Sequence, residues 1–147
     1  MSKQHWTWTT GCVIPSDTSE GKRVLDEILE QLKAHQWLER DVYSVHLALE
    51  EALINAIKHG NGNDPNKNVD VTCKLSHEEI WIEVVDEGSG FVPGDVPDPT
   101  ALENLERPSG RGIMLMRHFM SRVQYNDEGN AVVMEKRRGD PPPPSDS

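Results

Sequence analysis

Residues 39–59 carry apolar side chains at Val42, Val45, Leu49, Ala52, Leu53 and Ala56, and this rhythm stops at Gly60-Asn-Gly62-Asn-Asp-Pro65. At about 100° per residue those positions form one stripe along a helix of roughly six turns. A helix with one apolar stripe must lay it on a second layer, and the glycines, asparagines and proline that follow cannot continue it. Glu51, Asn55 and His59 recur every four residues on the side away from that stripe, drifting about 40° per step. The chain is therefore expected to place helices on another layer and to keep one polar helix face for a ligand.

The second layer is legible as strands. Val69, Val71, Cys73 and Leu75 alternate with polar residues, His77-Glu-Glu79 reads as a turn, and Ile80–Val85 is the next strand, so 68–86 is expected to be a hairpin. Residues 6–14 are rich in aromatic and β-branched side chains and read as a first strand ended by Pro15. Asp17-Thr-Ser-Glu20 has the spacing of a capping box. Val24, Leu25, Ile28, Leu29 and Leu32 then predict a helix over roughly 17–35.

Beyond Pro93 the chain changes character. Pro93, Pro97, Pro99 and Pro108 interrupt it, with one short helix expected over 98–103, capped by Asp98 with Pro99 at its first position. A last helix is predicted from Gly112 to Met120. A closing hairpin pairs Val123–Tyr125 with Ala131–Met134, and 139–147 reads as a disordered tail of Pro, Asp and Ser. This order predicts one domain over 1–138, an α/β (α+β) two-layer sandwich. Its sheet is expected to be mixed, mostly antiparallel and covered on one face by helices.

Composition narrows the function. With 147 residues the chain is long enough for one core. No apolar run approaches the roughly 18–20 residues of a membrane helix, and the start Met-Ser-Lys-Gln-His-Trp lacks the apolar stretch of a signal peptide. A cytoplasmic protein with no membrane partner is the expectation. The net charge of −10, with no basic cluster beyond Lys136-Arg-Arg138, argues against direct nucleic-acid binding. Cys12 and Cys73 form no CxxC pair and read as reduced residues on strands, a disulfide between them remaining open. An acidic chain that binds ATP has to neutralise the phosphates locally, with Mg²⁺, backbone N–H groups and a few basic side chains.

Three stretches carry chemistry. On the second helix, Asn55 offers a neutral carbonyl oxygen suited to Mg²⁺, and Glu51, one turn earlier, is placed to accept a proton from an attacking hydroxyl. Asp86 shares a strand face with Ile80, Ile82 and Val84. Such an acceptor-only carboxylate needs donors, which the exocyclic amine of adenine supplies. Gly88 and Gly90 allow the backbone close to a flat base. Gly110, Arg111 and Gly112 precede the last helix, where free N–H groups bind phosphate and Arg111 adds a charged contact. The segment 93–111 fits a lid over the phosphates. Each stretch alone also has a plainer reading: an exposed helix face, an Asp-Gly turn, a tight turn with a cap, a long surface loop, and His59 as a helix-end cation.

Taken in order, the three stretches resemble the GHKL (Bergerat-fold) ATPase/kinase superfamily. Glu51-Ala-Leu-Ile-Asn55-Ala-Ile-Lys-His-Gly60 is similar to its N box, Asp86-Glu-Gly-Ser-Gly90-Phe91 to its first glycine box, and Gly110-Arg-Gly112-Ile-Met-Leu-Met to its second. The likeness spans about residues 10–137 and points in particular to the stand-alone anti-sigma-factor serine/threonine kinases. It implies that Asn55 coordinates Mg²⁺ and Glu51 is the base. It further implies that Asp86 binds adenine N6 with Gly90 beside the base, and that Gly110, Arg111 and Gly112 contact phosphates. The implied partners are an anti-anti-sigma protein and a sigma factor, and homodimerisation is expected from the family. One departure stands out: where the superfamily often has an adenine-supporting Thr, this chain reads Gly129-Asn130-Ala131-Val132, with Asn130 as the candidate substitute.

Two functions follow. The first is an ATP-dependent protein serine/threonine kinase that phosphorylates an anti-anti-sigma partner and so controls a sigma factor by partner switching. The second is a non-catalytic ATP/ADP-binding module that holds a protein partner, a role with no need of a base at Glu51.

Overall fold

The computed structural model describes residues 6–88 and 110–139. β1 (Trp8–Pro15) leads into α1 (Thr18–Ala34) and α2 (Glu39–Ile54). β2 (Asn68–Leu75) and β3 (Glu79–Val85) follow, then α3 (Gly110–Phe119), β4 (Arg122–Tyr125) and β5 (Ala131–Arg137). The strands form one sheet in the order β1-β2-β3-β5-β4. Every neighbouring pair is antiparallel, so the sheet is not mixed as expected but wholly antiparallel among the described residues. The reason is topological: each described pair is built from hairpins or from a return across the helical layer, and none needs a parallel crossover.

The register puts one apolar set on the helix side. Cys12 lies opposite Val71 and Ile14 opposite Val69; Cys73 faces Ile82 and Leu75 faces Ile80; Ile82 in turn faces Met134 and Val84 faces Val132. These close on Val24, Leu25, Ile28 and Leu32 of α1, on Val45, Leu49, Ala52 and Leu53 of α2, and on Met116 of α3, all buried. Each fully buried aliphatic side chain contributes about 1.5–3 kcal/mol, so the stripe read from α2 is part of the main core. Val42 is packed only partly against it. Cys12 and Cys73 are both free thiols.

Local signals act as their chemistry dictates, with one exception. Asp17 caps α1 by accepting the Ser19 N–H at 2.8 Å, but the reciprocal half of the expected capping box is not made. Glu20 turns to Arg23 instead, at 3.0 Å, and the Asp17 N–H goes to Pro15 O at 2.8 Å. At the other end of α1, Trp37 N–H bonds Leu32 O and Gln36 N–H bonds Lys33 O, a Schellman closure with Gln36 at φ 61°. Trp37 is buried, and its indole N–H donates to Ser76 O at 3.1 Å, so the α1–α2 joint is tied to the β2–β3 turn.

β5 reaches three residues further than the predicted Met134, to Arg137. Its end is stitched to the helical layer. Lys136 is buried 3.7 Å from the buried Asp41 carboxylate, whose Oδ2 accepts the Gly139 N–H at 3.0 Å. Arg138 donates to Gln36 O at 2.6 Å, and Arg40 donates to Gly139 O at 3.1 Å. The expected short helix over 98–103, most of the proposed lid and the tail beyond Gly139 lie outside the described residues. No helix among those described is long and apolar enough to cross a membrane.

Candidate functional site

The helix that was predicted to run unbroken to His59 changes pitch at its end. α2 stops at Ile54, and Asn55–Gly60 form a π turn, continued by Asn61 N–H to Ala56 O at 2.9 Å. π turns are rare and concentrate at functional sites. Asn55, expected on an open face, opens this turn in a covered position with only 6% of its surface exposed. α3 packs along α2, which is why the polar side of α2 is not solvent-facing throughout.

Asn55 meets a residue that the sequence reading did not single out. The Tyr125 phenol, at the end of β4, interacts with the Asn55 amide and feels the charges of Glu51, Asp86 and Arg117. Burial pushes that phenol up to about 12, and the neighbouring Asn55 amide offsets part of the rise, so Tyr125 stays a neutral hydroxyl at physiological pH. The signal that could have found it is strand alternation: Val123 and Tyr125 are the half-buried positions of β4, while Arg122 and Gln124 are exposed.

Glu51 is half-buried one turn before Asn55. Burial raises its carboxyl above the ordinary range, His59 pulls it back down, and Glu50 adds to the rise. A carboxylate held in this way is a better proton acceptor than a solvated one. His59 therefore acts electrostatically on Glu51, in addition to its place near a helix end.

Asp86 sits where β3 leaves the sheet. Its N–H donates to Asn130 O at 2.9 Å, and its Oδ1 accepts the Gly88 N–H at 2.8 Å. Burial raises this carboxyl as well, against the Gly88 N–H and then Lys67, which both lower it. Asn130, the residue standing near the missing Thr, supports Asp86 through its backbone. Its side-chain Oδ1 is taken by Asn126 Nδ2 at 2.7 Å.

Two glycines bring the N-box end and the Asp86 turn together. A Cβ on Gly60 would fall 2.4 Å from the Asp86 carboxyl carbon, and one on Gly88 would fall 1.9 Å from Gly60 O. The two segments thus touch backbone to backbone. The sequence shows Gly60 as the end of the N-box stretch and as a helix stop, but nothing in it reports this contact with Asp86 and Gly88.

Gly110, Arg111 and Gly112 were expected as a turn before the last helix. Instead they form the first turn of α3, which begins at Gly110. A helix start still offers N–H groups without intrahelical partners, the feature that phosphates use. Gly90 lies outside the described residues, as does the Arg111 side chain.

The donor set suits Mg²⁺. Asn55 supplies an amide whose Nδ2 is buried without a well-formed hydrogen bond, and its carbonyl oxygen is of the hard neutral type that Mg²⁺ accepts. Among the described residues no group of three or more His, Cys, Asp or Glu could cage a metal. A cation held by Asn55 would therefore take its remaining ligands from phosphates and water, as Mg²⁺ usually does. A separate groove of about 620 Å³ lies between α1 and the end of α2, with Leu25, Leu53 and Ile57 at its floor. It is lined by none of Glu51, Asn55 or Asp86.

Comparison with known proteins identifies the family of the domain. The histidine kinase-like ATPase domain matches residues 14–136. The anti-sigma F factor of Oceanobacillus iheyensis is 33% identical over 103 residues, which cover 66% of this chain and 70% of that protein. The serine/threonine-protein kinase BtrW of Bordetella bronchiseptica is 27% identical over 92 residues, 61% of this chain and 65% of its own length. In three dimensions the chain resembles the crystal structure of the RsbU and RsbW domains of a Mycobacterium tuberculosis protein, with a TM-score of 0.62 at 15% identity. The match covers 90% of this chain and 32% of that longer one. The extent of the domain match and the coverage of the anti-sigma F factor show that the chain belongs to the histidine kinase-like ATPase domain family, alongside the anti-sigma factors.

Proposed function

We propose that this protein is an ATP-dependent anti-sigma-factor serine/threonine kinase that phosphorylates an anti-anti-sigma protein and thereby controls a sigma factor by partner switching. The observation that carries the reading is that one π turn opens with the buried Asn55 and ends at Gly60 directly against the Asp86 carboxylate, with Glu51 one helical turn before Asn55. The names of the relatives, two anti-sigma factors among them and one protein kinase, supply the reaction class.

In this reading Asp86 accepts from the exocyclic amine of adenine, with Gly88 and Gly90 beside the base. Gly110, Arg111 and Gly112 meet the phosphates at the start of α3. Asn55 holds Mg²⁺, which when bound neutralises charge on the phosphates. Glu51 takes the proton of the attacking serine or threonine hydroxyl. Its burial keeps the carboxylate poorly solvated and raises its proton affinity, with His59 acting against that rise. Most of the rate acceleration then comes from positioning and charge neutralisation, as in other phosphoryl transfers. A cytoplasmic location and a homodimer are parts of the same proposal.

The test has two steps. Thermal unfolding with ATP or ADP, with and without Mg²⁺, is measured for wild type and Asn55→Ala. A ligand at about 100 times its Kd stabilises by roughly 2.7 kcal/mol. A Mg²⁺-dependent shift lost in Asn55→Ala is expected. Phosphate transfer to the anti-anti-sigma protein is then measured for wild type and Glu51→Ala, with a drop of roughly 10²–10⁴-fold expected. Tight nucleotide binding without any transfer by the wild type would favour a nucleotide-set binding module instead.

A further inference from the structure

Asn61 immediately follows the π turn and is 2% exposed. Its Oδ1 accepts the Glu87 N–H at 2.7 Å. Its Nδ2 donates to Ser16 Oγ at 3.0 Å and to Asn68 O at 2.9 Å. Ser16 Oγ spends its own proton on Lys67 O at 2.7 Å, so it can only accept from Asn61. The orientation of the Asn61 carboxamide is therefore forced: turned over, it would set oxygen against two acceptors and nitrogen against a donor. Both amide hydrogens and the carbonyl are used.

The three bonds join three separate places. Ser16 follows β1, Asn68 opens β2, and Glu87 follows Asp86 after β3. At the Asp86 turn the successive N–H groups of residues 86, 87 and 88 each have a partner: Asn130 O, Asn61 Oδ1 and Asp86 Oδ1 respectively. Asn61 is thus the one external side chain among those three. Without it the Glu87 N–H would lose its partner, and the turn would be held by Asn130 O, by the Glu87 carboxylate that accepts the Asn68 N–H, and by the Asp86 carboxylate itself, the group that has to stay aimed at a base.

We infer that Asn61 is a positioning residue for purine selection: it holds the Asp86 turn in the geometry that reads an exocyclic amine, and it fixes that turn at a set distance from Asn55. This rests on the reading of Asp86 as the adenine acceptor. A buried Oδ1 that loses its donor, or a Glu87 N–H that loses its acceptor, leaves a polar group unsatisfied, and the carboxylate can then relax toward the vacated N–H. The effect is specific to the base end. The three bonds of the Asn61 side chain reach Ser16, Asn68 and Glu87, and none of them goes to Asn55 at the phosphate end.

The test compares ATP with inosine triphosphate, which carries an oxygen where adenine has its amine. Binding of each, with Mg²⁺, is measured by calorimetry for wild type, Asn61→Ala, Asp86→Ala and the double variant. Wild type is expected to prefer ATP by roughly 10²-fold or more, since a site built to accept a hydrogen bond rejects an analogue that cannot donate it. Asn61→Ala should cut that ratio by at least tenfold, while inosine triphosphate binding changes less than about threefold. In Asp86→Ala, the further loss on removing Asn61 should vanish, because the two act through one contact. A parallel fall for both nucleotides, with the ratio kept, would overturn the inference and leave Asn61 a scaffold residue. A wild-type protein that binds both nucleotides equally would overturn the Asp86 reading itself. If Asn61→Ala does not fold, hydrogen exchange of the Glu87 amide in wild type decides. Protection comparable to the β3 amides without nucleotide is expected, and free exchange until ATP is added would sink the idea.

Discussion

Gly60 and Asp86 are in contact through the backbone of one and the carboxylate of the other, with no space for even a methyl group between them: a Cβ at residue 60 would lie 2.4 Å from Asp86 Oδ2. Gly60→Ala must therefore displace the carboxylate or the π turn that ends at Gly60. Overpacking of this kind costs roughly 1–3 kcal/mol. ATP affinity is expected to fall at least tenfold, measured by calorimetry. Unchanged affinity with a normal melting temperature would show that the contact has no bearing on the site.

Glu51 links activity to pH with a defined sign. Its carboxyl is raised in the fold, chiefly by burial, so the folded state holds that proton more tightly than the unfolded chain. Two consequences follow. With Glu51 as the proposed base, the phosphotransfer rate should fall as pH drops through a midpoint above the ordinary Glu value of 4.5, because that base has to be ionised to accept a proton. The stability contribution has the opposite sense: acidification through the same window favours the fold, and the gain is lost as pH rises. Glu51→Gln, which carries no charge to desolvate, is expected to melt no lower than wild type at neutral pH while losing activity. A clearly lower melting temperature would contradict the assigned cause of the shift.

The Asp41–Lys136 pair separates two kinds of loss. Both residues are buried, at 1% and 2% exposure. Lys136→Met strands the Asp41 charge and should cost about 3–5 kcal/mol in urea denaturation. Asp41→Leu with Lys136→Met removes both charges and should recover most of that. The Gly139 N–H, deprived of Asp41 Oδ2, limits the recovery. A double variant as unstable as the single one would mean that the ion pair itself, not the orphaned charge, supplies the stability.

Gln36 is the left-handed residue closing α1, at φ 61° and exposed. Glycine reaches that conformation without strain and is the usual residue there. Gln36→Gly is expected to raise the urea midpoint, by about 0.5–1 kcal/mol of stability, with the slope of the transition unchanged. No gain would indicate that Gln36 makes an offsetting contact.

How much of this was readable in advance differs between the two layers. The hairpin 68–86 and the helix over 17–35 appear almost as predicted, because alternation and helical rhythm are local signals tied directly to burial. The end of α2 was not readable. A π turn differs from an α turn by one residue per cycle, and Asn55-Ala-Ile-Lys-His-Gly60 has no residue that forbids either. The same limit hid Asn61 and Tyr125: their partners, Glu87 and Asn55, are distant in the chain, and only the folded sheet brings them close. The glycines of the second box were seen, but whether Gly110 lay before or inside the helix depended on α3 packing along α2. No pattern within seven residues reports that.

The stitching of β5 to the helical layer has an architectural consequence. Gly139 is fixed beside Arg40 and Asp41 at the start of α2, and Asn55 lies fourteen residues further along. At about 1.5 Å per residue that is roughly 20 Å. A dye or resin tether attached at Gly139 would sit at the start of α2, away from Asn55. The proposed nucleotide site and Gly139 thus lie at opposite ends of α2, so a group tethered through Gly139 starts well away from that site.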